Sequence, residues 1–441
     1  MCHLSCTSKK LVEALRARDG FAWSNKLDGA EDHDFFLRLS TLLNFRPLHI
    51  PLFTYYWRAT TGSTALNPKA KASLDERRAL LLRPKLDSVY GQNKYSINRE
   101  GELGRNGFVS IHPQYAPSAN ESILVIVPFH NSSDLTIRCL ESLLTQDSVR
   151  WLKVILIDNN SSAEESQAVR SWVEAHTNLK AQVVEYPVAF NFAKINNFAF
   201  NRFSSESSSV LFLNNDVEIL STNAISVMAA HLKAHDECAF VGIRLMYPGG
   251  DDIQHGGIRA VQGTHGSGYV NIGHATHTTE FVYDERISMG VTFACAMTKC
   301  ETFRKLRGLE EILLPNGFGD VDIALRAMEL GKVNHYYGTL FGIHHESKTR
   351  KLSSEEFEFS CLHLRHGEMI SQTRLHELSM NWQPALAKSF SGLQGNGVNI
   401  PLRYRLADKA NTAVKTFAWP FHKLIKQLIR SIAKIGRPDT A

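Results

Sequence analysis

Three absences bound this 441-residue chain. No segment approaches the roughly 20 consecutive apolar residues that span a bilayer, so a membrane-spanning helix is not expected. Met1 to Arg18 lacks a continuous apolar core, so no secretory signal is expected there. The seven cysteines (Cys2, Cys6, Cys139, Cys238, Cys295, Cys300 and Cys361) form no Cys-x-x-Cys pairs, which excludes a zinc ribbon. Their odd number and scatter fit reduced thiols in a cytoplasmic protein. Excess charge is also missing. A net charge of +5, with no recognisable nucleic-acid motif, argues against an RNA or DNA partner. What is present is ordinary for a globular protein with a core: 43% hydrophobic and 21% charged residues. The length suggests two or three domains.

From residue 121 the chain alternates short apolar runs with helical periods. Ile123–Pro128, Val154–Asp158, Ala181–Tyr186 and Val210–Leu213 read as strands. Asp134–Thr145, Ala163–Ala175 and Ala193–Phe203 read as the helices between them. The runs are apolar at successive positions, as in strands buried on both faces. Strand–helix alternation implies an α/β fold with a mostly parallel sheet, which binds ligands at the carboxyl ends of its strands. Pro128, Asp158 and Asp216 sit at those ends.

Polar residues follow the strands. Asn214-Asn215-Asp216-Val217-Glu218 holds more acid and amide than a turn requires, and a carboxylate there suits Mg²⁺ or Mn²⁺ completed by substrate phosphates. Asp158, before Asn159-Asn160-Ser161, is equally well read as a helix cap or as a group that binds a nucleoside. Gly319-Asp320-Val321-Asp322 opens a helix. Its acids suit the helix dipole, and at i and i+2 they do not share a face, so one at most serves as a general base. His344 and His345 alternate across a strand end, so one at most faces a metal. Lys194 and Asn191 begin a helix, a place where anions bind.

These segments form an ordered set: Val127-Pro128-Phe129-His130-Asn131, Ile157-Asp158-Asn159-Asn160-Ser161, Asn191 to Asn197, Leu213 to Asp216, Gln254-His255-Gly256-Gly257, Gly319 to Asp322, and His344 to Ser347. Over residues 122–351 the chain resembles the family 2 glycosyltransferases of GT-A fold, in the branch that builds O-antigen and other bacterial surface polysaccharides. The resemblance implies a Rossmann-like, mostly parallel sheet. It assigns Pro128, Asp158, Asn191, Lys194, Asn214 and Asn215 to the nucleotide-sugar donor. It assigns Asp216, with His344 or His345, to a divalent cation (Mn²⁺ or Mg²⁺). It makes Asp320 the catalytic base, with Asp322, Glu218 and His255 in support. Two departures stand out: Asn214 replaces the first acid of the family's Asp-x-Asp motif, and Gly319 replaces the usual residue before the base. The implied partners are a nucleotide-sugar donor and a glycan or lipid-linked acceptor.

An internal half-repeat lies at the start. Glu31-Asp32-His33-Asp34-Phe35-Phe36-Leu37-Arg38 echoes Gly319 to Arg326, and a strand-like run at 48–58 follows it. Residues 1–85 resemble the second half of another such domain, with Gly62-Ser63-Thr64 as its final turn and Tyr56 where a histidine is expected. Without a first half this unit is not expected to bind donor, and truncation of a two-domain enzyme is the favoured explanation. Residues 86–120 read as a linker, 121–350 as the GT-A domain, 351–400 as a helical extension and 401–441 as a basic amphipathic tail. In that tail Phe417, Phe421, Leu424, Ile425, Leu428 and Ile432 oppose Lys423, Lys426, Arg430 and Lys434, a pattern suited to the inner face of the cytoplasmic membrane. Two alternatives remain: a degenerate carbohydrate-binding scaffold, and a sugar-nucleotidyltransferase. The second needs a Gly-rich, basic loop after the first strand, where Pro128-Phe129-His130-Asn131 stands instead.

Overall fold

The computed structural model describes residues 5–24, 27, 30–42, 74–98, 110–117, 121–250, 252–263, 266–271, 282, 283, 285–345 and 358–366. The strand read at 48–58, Tyr56, the turn at 62–64, the start of the helix read from Pro68 and the amphipathic tail lie outside them. The chain divides into two units, residues 1–114 and 115–441.

In the first unit, α1 (Lys9–Asp19) and α2 (Glu31–Leu39) bury Leu15, Ala22, Phe35 and Leu39 against each other. Ser8 caps α1, and Gly20 ends it at φ +82, the left-handed conformation that suits glycine. α3 (Leu74–Tyr90) continues through Pro84. The 86–120 span, read from sequence as a linker, holds the end of α3 and an antiparallel pair, β1 (Tyr95–Asn98) with β2 (Ser110–Pro113).

The second unit is built on a ten-stranded sheet. Its first block is β3 (Ile123–Phe129), β4 (Leu152–Asp158), β5 (Ala181–Glu185) and β6 (Ser209–Leu213), all parallel in the spatial order β6-β3-β4-β5. Between them run α4 (Ser133–Leu144), α5 (Ala163–Ala175) and α6 (Phe192–Phe203). The strand and helix bounds expected from sequence hold here to within two residues. Beyond β6 come β7 (Val217–Ile219), α7 (Ala224–Ala234), β8 (Cys238–Met246), β9 (Ile253–His255), a β10–β11 hairpin (Ile258–Gly263, Gly266–Asn271), β12 (Glu285–Ser288), β13 (Cys295–Lys299), α8 (Cys300–Lys305), α9 (Gly319–Glu329) and β14 (Val333–His344). In this half the order β12-β14-β8-β13 mixes directions: only β14 and β8 are parallel.

Two apolar layers enclose the sheet. On one face Val125, Val127, Val154, Leu156, Leu211 and Val241 pack against α4, α5 and α7. On the other, Leu124, Ile126, Ile155, Ile157, Phe212 and Phe240 pack against α6, α8 and α9. The alternation of odd and even positions explains why these strands are apolar throughout: both faces are core. Each fully buried aliphatic side chain contributes roughly 1.5–3 kcal/mol. The edges of this stack then place the polar strand ends.

Candidate active site

The carboxyl ends of β4, β3 and β6 lie side by side, because parallel pairing matches Phe129 to Asp158 and Ile126 to Phe212. Half-buried Pro128 stands opposite Ile157. Asp158 is buried, and its Oδ1 accepts the Ser161 amide at 2.9 Å. Asp158 thus braces the turn, and the helix cap read for it from sequence falls instead to Ser162, whose hydroxyl accepts the Glu165 amide. The next loop is cross-tied. Asn131 donates its backbone amide to the Ser161 hydroxyl and accepts the Ser162 amide on its Oδ1, and His130 Nδ1 meets the Asn159 carbonyl. Asn159 in turn donates to the Tyr186 and Val188 carbonyls.

Asn191 caps α6: its Oδ1 accepts the Lys194 amide at 2.8 Å, and its Nδ2 donates to the Glu311 carbonyl. The Lys194 side chain is exposed. Ala193 donates to the Pro315 carbonyl and Phe192 to Asn316 Oδ1, so the start of α6 is tied to the loop that leads into α9. Asn197 reinforces the tie through Leu309 and Glu311.

After β6, half-buried Asn214 donates its amide to the Ala294 carbonyl, and Asn215 Nδ2 donates to Thr136 Oγ1 on α4. These bonds set the turn that presents Asp216, which is 5% exposed. β7 then pairs antiparallel with the end of β14, Val217 opposite His344 and Glu218 opposite Ile343. Two acid–histidine pairs result. His344 Nε2 lies 3.2 Å from Asp216 Oδ1, and His345 Nε2 lies 2.5 Å from Glu218 Oε1. The His345 amide also donates to the Asp216 carbonyl. The approach is close. A Cβ on Gly342 would sit 2.5 Å from the Glu218 carbonyl oxygen, so β7 can lie this near β14 only beside glycine. An oxygen and a nitrogen 3.2 Å apart, from a carboxylate and an imidazole, form a donor set that suits a divalent cation with room left for phosphate oxygens.

The acids that open α9 separate. Asp320 is half-buried in the first turn, and its Oδ1 accepts the Val321 amide. Asp322 is fully buried. Its Oδ2 pairs with Arg326 at 2.8 Å, and its Oδ1 meets His366 at 2.8 Å and Arg365 at 3.2 Å. Burial would raise the Asp322 carboxyl, but the Arg326 charge, the His366 hydrogen bond and Arg365 outweigh it and hold it well below the usual carboxylate range. Burial would lower His366, but the bonds to Asp322 and Glu329 raise it. Glu358 Oε2 accepts the Asn316 and Gly317 amides. The helical residues 358–366 therefore clamp both the entry loop and the base of α9. Sequence reading missed Glu358, Arg365 and His366, and no local pattern marks them. Like Asp322, His255 is wholly buried: its Nε2 accepts the Thr292 amide.

Residues 124–307 match the family described as Glycosyl transferase family 2. Over those residues, which span β3 to α8, the chain is similar to the family 2 glycosyltransferases. The chain is 28% identical over 356 residues to an uncharacterized protein, y4gI, of Sinorhizobium fredii, covering 79% of this chain and 37% of that protein. It is 28% identical over 338 residues to the O-antigen biosynthesis protein RfbC of Myxococcus xanthus, covering 76% and 25%. The chain thus spans well under half the length of these curated relatives. Among solved structures, GalNAc-T7 with UDP, GalNAc and Mn²⁺ aligns at a TM-score of 0.46 and 12% identity, over 56% of this chain and 48% of that one. The mannosyltransferase PcManGT of Pyrobaculum calidifontis, with GDP-Man and Mn²⁺, aligns at 0.43 and 16% identity, over 83% and 96%. Among the described residues no helix is long and apolar enough to cross a membrane.

Proposed function

We propose that the chain transfers a sugar, with inversion, from a nucleoside-diphosphate donor to a hydroxyl of a glycan or lipid-linked acceptor in surface-polysaccharide synthesis. The observation that carries this reading is the Asp216–His344 pair, set where β7 folds back onto β14 beside the carboxyl end of β6. Pro128, Asp158, Asn214 and Asn215 lie on the neighbouring strand ends and turns, as a donor site requires. Asp320 acts as general base: its carboxylate takes the proton of the acceptor hydroxyl. The freed oxygen forms the new bond at the anomeric carbon while the bond to the leaving phosphate oxygen breaks. A divalent cation held by Asp216 and His344 would neutralise charge on that diphosphate. Glu218 fixes His345 and so the strand end that carries His344. Asp322 braces α9 and leaves the chemistry to Asp320. The name of the Myxococcus relative supports the polysaccharide assignment. The basic amphipathic segment from Phe417 would hold the chain at the cytoplasmic membrane surface, near a lipid-linked acceptor.

The test is a panel of UDP-, GDP- and dTDP-sugars with Mn²⁺, read as donor hydrolysis or transfer. At least one donor is turned over by the wild-type chain, and Asp216→Asn abolishes the metal-dependent part. If no donor binds, the domain is a carbohydrate-binding scaffold and the proposal fails.

A further inference from the structure

A second group of metal-ligating side chains lies at the opposite end of β14 from His344. One ligand atom each from His231, Glu285 and His335 lies within 4.8 Å of the other two. His344 lies nine positions beyond His335, which separates the two places by on the order of 25–30 Å of strand. This cluster is therefore separate from the Asp216–His344 pair.

Its geometry follows from the ladder. β12 and β14 run antiparallel with Glu285 opposite Tyr337 and Ile287 opposite His335. Glu285, His335 and Tyr337 thus share one face of the sheet, diagonal neighbours across the ladder. α7 covers that face and brings His231 down onto it, its ring centroid 4.1 Å from that of His335. His335 Nε2 and Glu285 Oε1 are 3.1 Å apart. Two ligands on a tetrahedral ion at bond lengths near 2.0–2.1 Å stand about 3.4 Å apart. That pair is already close to bonding geometry, and His231 must close by about an ångström. A further contact points the same way. His231 Nδ1 meets the Tyr337 hydroxyl at 2.9 Å, which orients the ring and leaves Nε2 as its ligand atom. An imidazole held through its other nitrogen is the usual outer-shell arrangement of a metal-binding histidine.

We infer that His231, Glu285 and His335 form a structural Zn²⁺ site that pins the edge strand β12 to β14 and α7. Two imidazoles and one carboxylate are a zinc donor set, and a water would complete the tetrahedron. The role is structural. The site ties three elements far apart in sequence, and among the described residues β12 is the outermost strand of the sheet, paired on one side only.

The experiment uses the full chain carrying Asp216→Asn, which silences the donor-site carboxylate. The protein is stripped with EDTA and titrated with Zn²⁺ alone by calorimetry with a competing chelator. One Zn²⁺ binds per chain, and Tm rises by about 2–4 °C. Adding Glu285→Gln or His335→Gln weakens binding about 100-fold or more, and Tyr337→Phe weakens it about 10-fold. Co²⁺ bound to the wild-type chain gives the intense visible absorption of a tetrahedral ion, a readout that needs no altered ligand to fold. The inference is overturned if the Asp216→Asn chain binds no Zn²⁺. It is equally overturned if Glu285→Gln and His335→Gln bind it as well as their parent, or if Co²⁺ shows only weak octahedral bands.

Discussion

The starts of α2 and α9 are two copies of one device put to different use. In α2, Asp32 Oδ1 accepts the next amide, Asp34 pairs with Arg38 at 2.6 Å, and Arg38 donates to the Phe21 and Ala22 carbonyls. In α9, Asp320 Oδ1 accepts the next amide, Asp322 pairs with Arg326 at 2.8 Å, and Arg326 donates to the Leu306 and Gly308 carbonyls. Acid, spacer, acid and an arginine four residues on form a brace in both. The second acid locks an arginine that gathers the carbonyls of the preceding segment, and the first acid is left at the helix entrance. What differs is the surroundings. Asp322 is fully buried and receives Arg365 and His366 as well, whereas Asp34 keeps some exposure and shares Arg38 with Asp19. Only α9 belongs to a unit that also carries the Asp216–His344 pair. The half-repeat thus supplies the same brace in both places, and only beside α9 does the same unit also hold the Asp216–His344 pair.

The largest effect expected from breaking this comparison is on turnover. Asp320→Asn should lower kcat roughly 10²–10⁴-fold, the range of a lost general base, with Tm little changed. Asp32→Asn should leave kcat as it is. Steady-state kinetics with any active donor would read both, and equal losses would make the acidic motif merely structural in each copy.

Stability should show the next largest contrast. Asp322→Ala strands two arginines in the core and should cost roughly 3–5 kcal/mol, whereas Asp34→Ala should cost about 1 kcal/mol. Denaturant unfolding measures both. The pH dependence carries a sign. The folded Asp322 carboxyl titrates below its unfolded value, so its contribution is whole above about pH 4 and is lost as pH falls toward the depressed folded value. His366 is raised, so its contribution is whole below about pH 6.5 and fades as pH rises through the folded value. Asp322→Asn should therefore flatten the acid limb of a Tm–pH profile. An unchanged limb would assign the acid sensitivity to other carboxylates.

The smallest expected effect tests geometry. Gly342→Ala drives a methyl into the Glu218 carbonyl and should cost about 1–3 kcal/mol through the displacement of β7. Because β7 aligns Asp216 with His344, the affinity for Mn²⁺ should fall further than stability alone explains. A variant of reduced Tm but unaltered Mn²⁺ dependence would place the metal away from this pair.

Much of this was legible in the chain. The runs from Ile123 and Val210 are apolar at every position because both sheet faces are covered, and such strands announce themselves. Asp158, Asn191 and Asp320 were visible because strand ends and helix starts concentrate polar residues. Other features were hidden for a physical reason. His344 and His345 are neighbours in sequence, and only the register of β7 on β14 gives one to Asp216 and the other to Glu218. Asn191 reads as a ligand-binding amide, yet both ends of its carboxamide are spent on the Lys194 amide and the Glu311 carbonyl. Glu358, Arg365 and His366 sit in a segment with no chemical pattern of its own, and their meaning comes from Asp322 and from the amides of Asn316 and Gly317. The 86–120 span is rich in glycine and polar residues, yet β1 and β2 pair within it.

The sequence by itself determined the alternation of the parallel block, the apolar layers and the kinds of groups delivered to the strand ends. These follow from local periodicity and from the polarity that strand ends demand. Only the tertiary structure decided which acid meets which histidine, which aspartate of α9 is withdrawn into the core, and that His231, Glu285 and His335 share one face of the sheet. Those outcomes depend on strand register and on contacts between residues tens to more than a hundred positions apart, which no local pattern encodes.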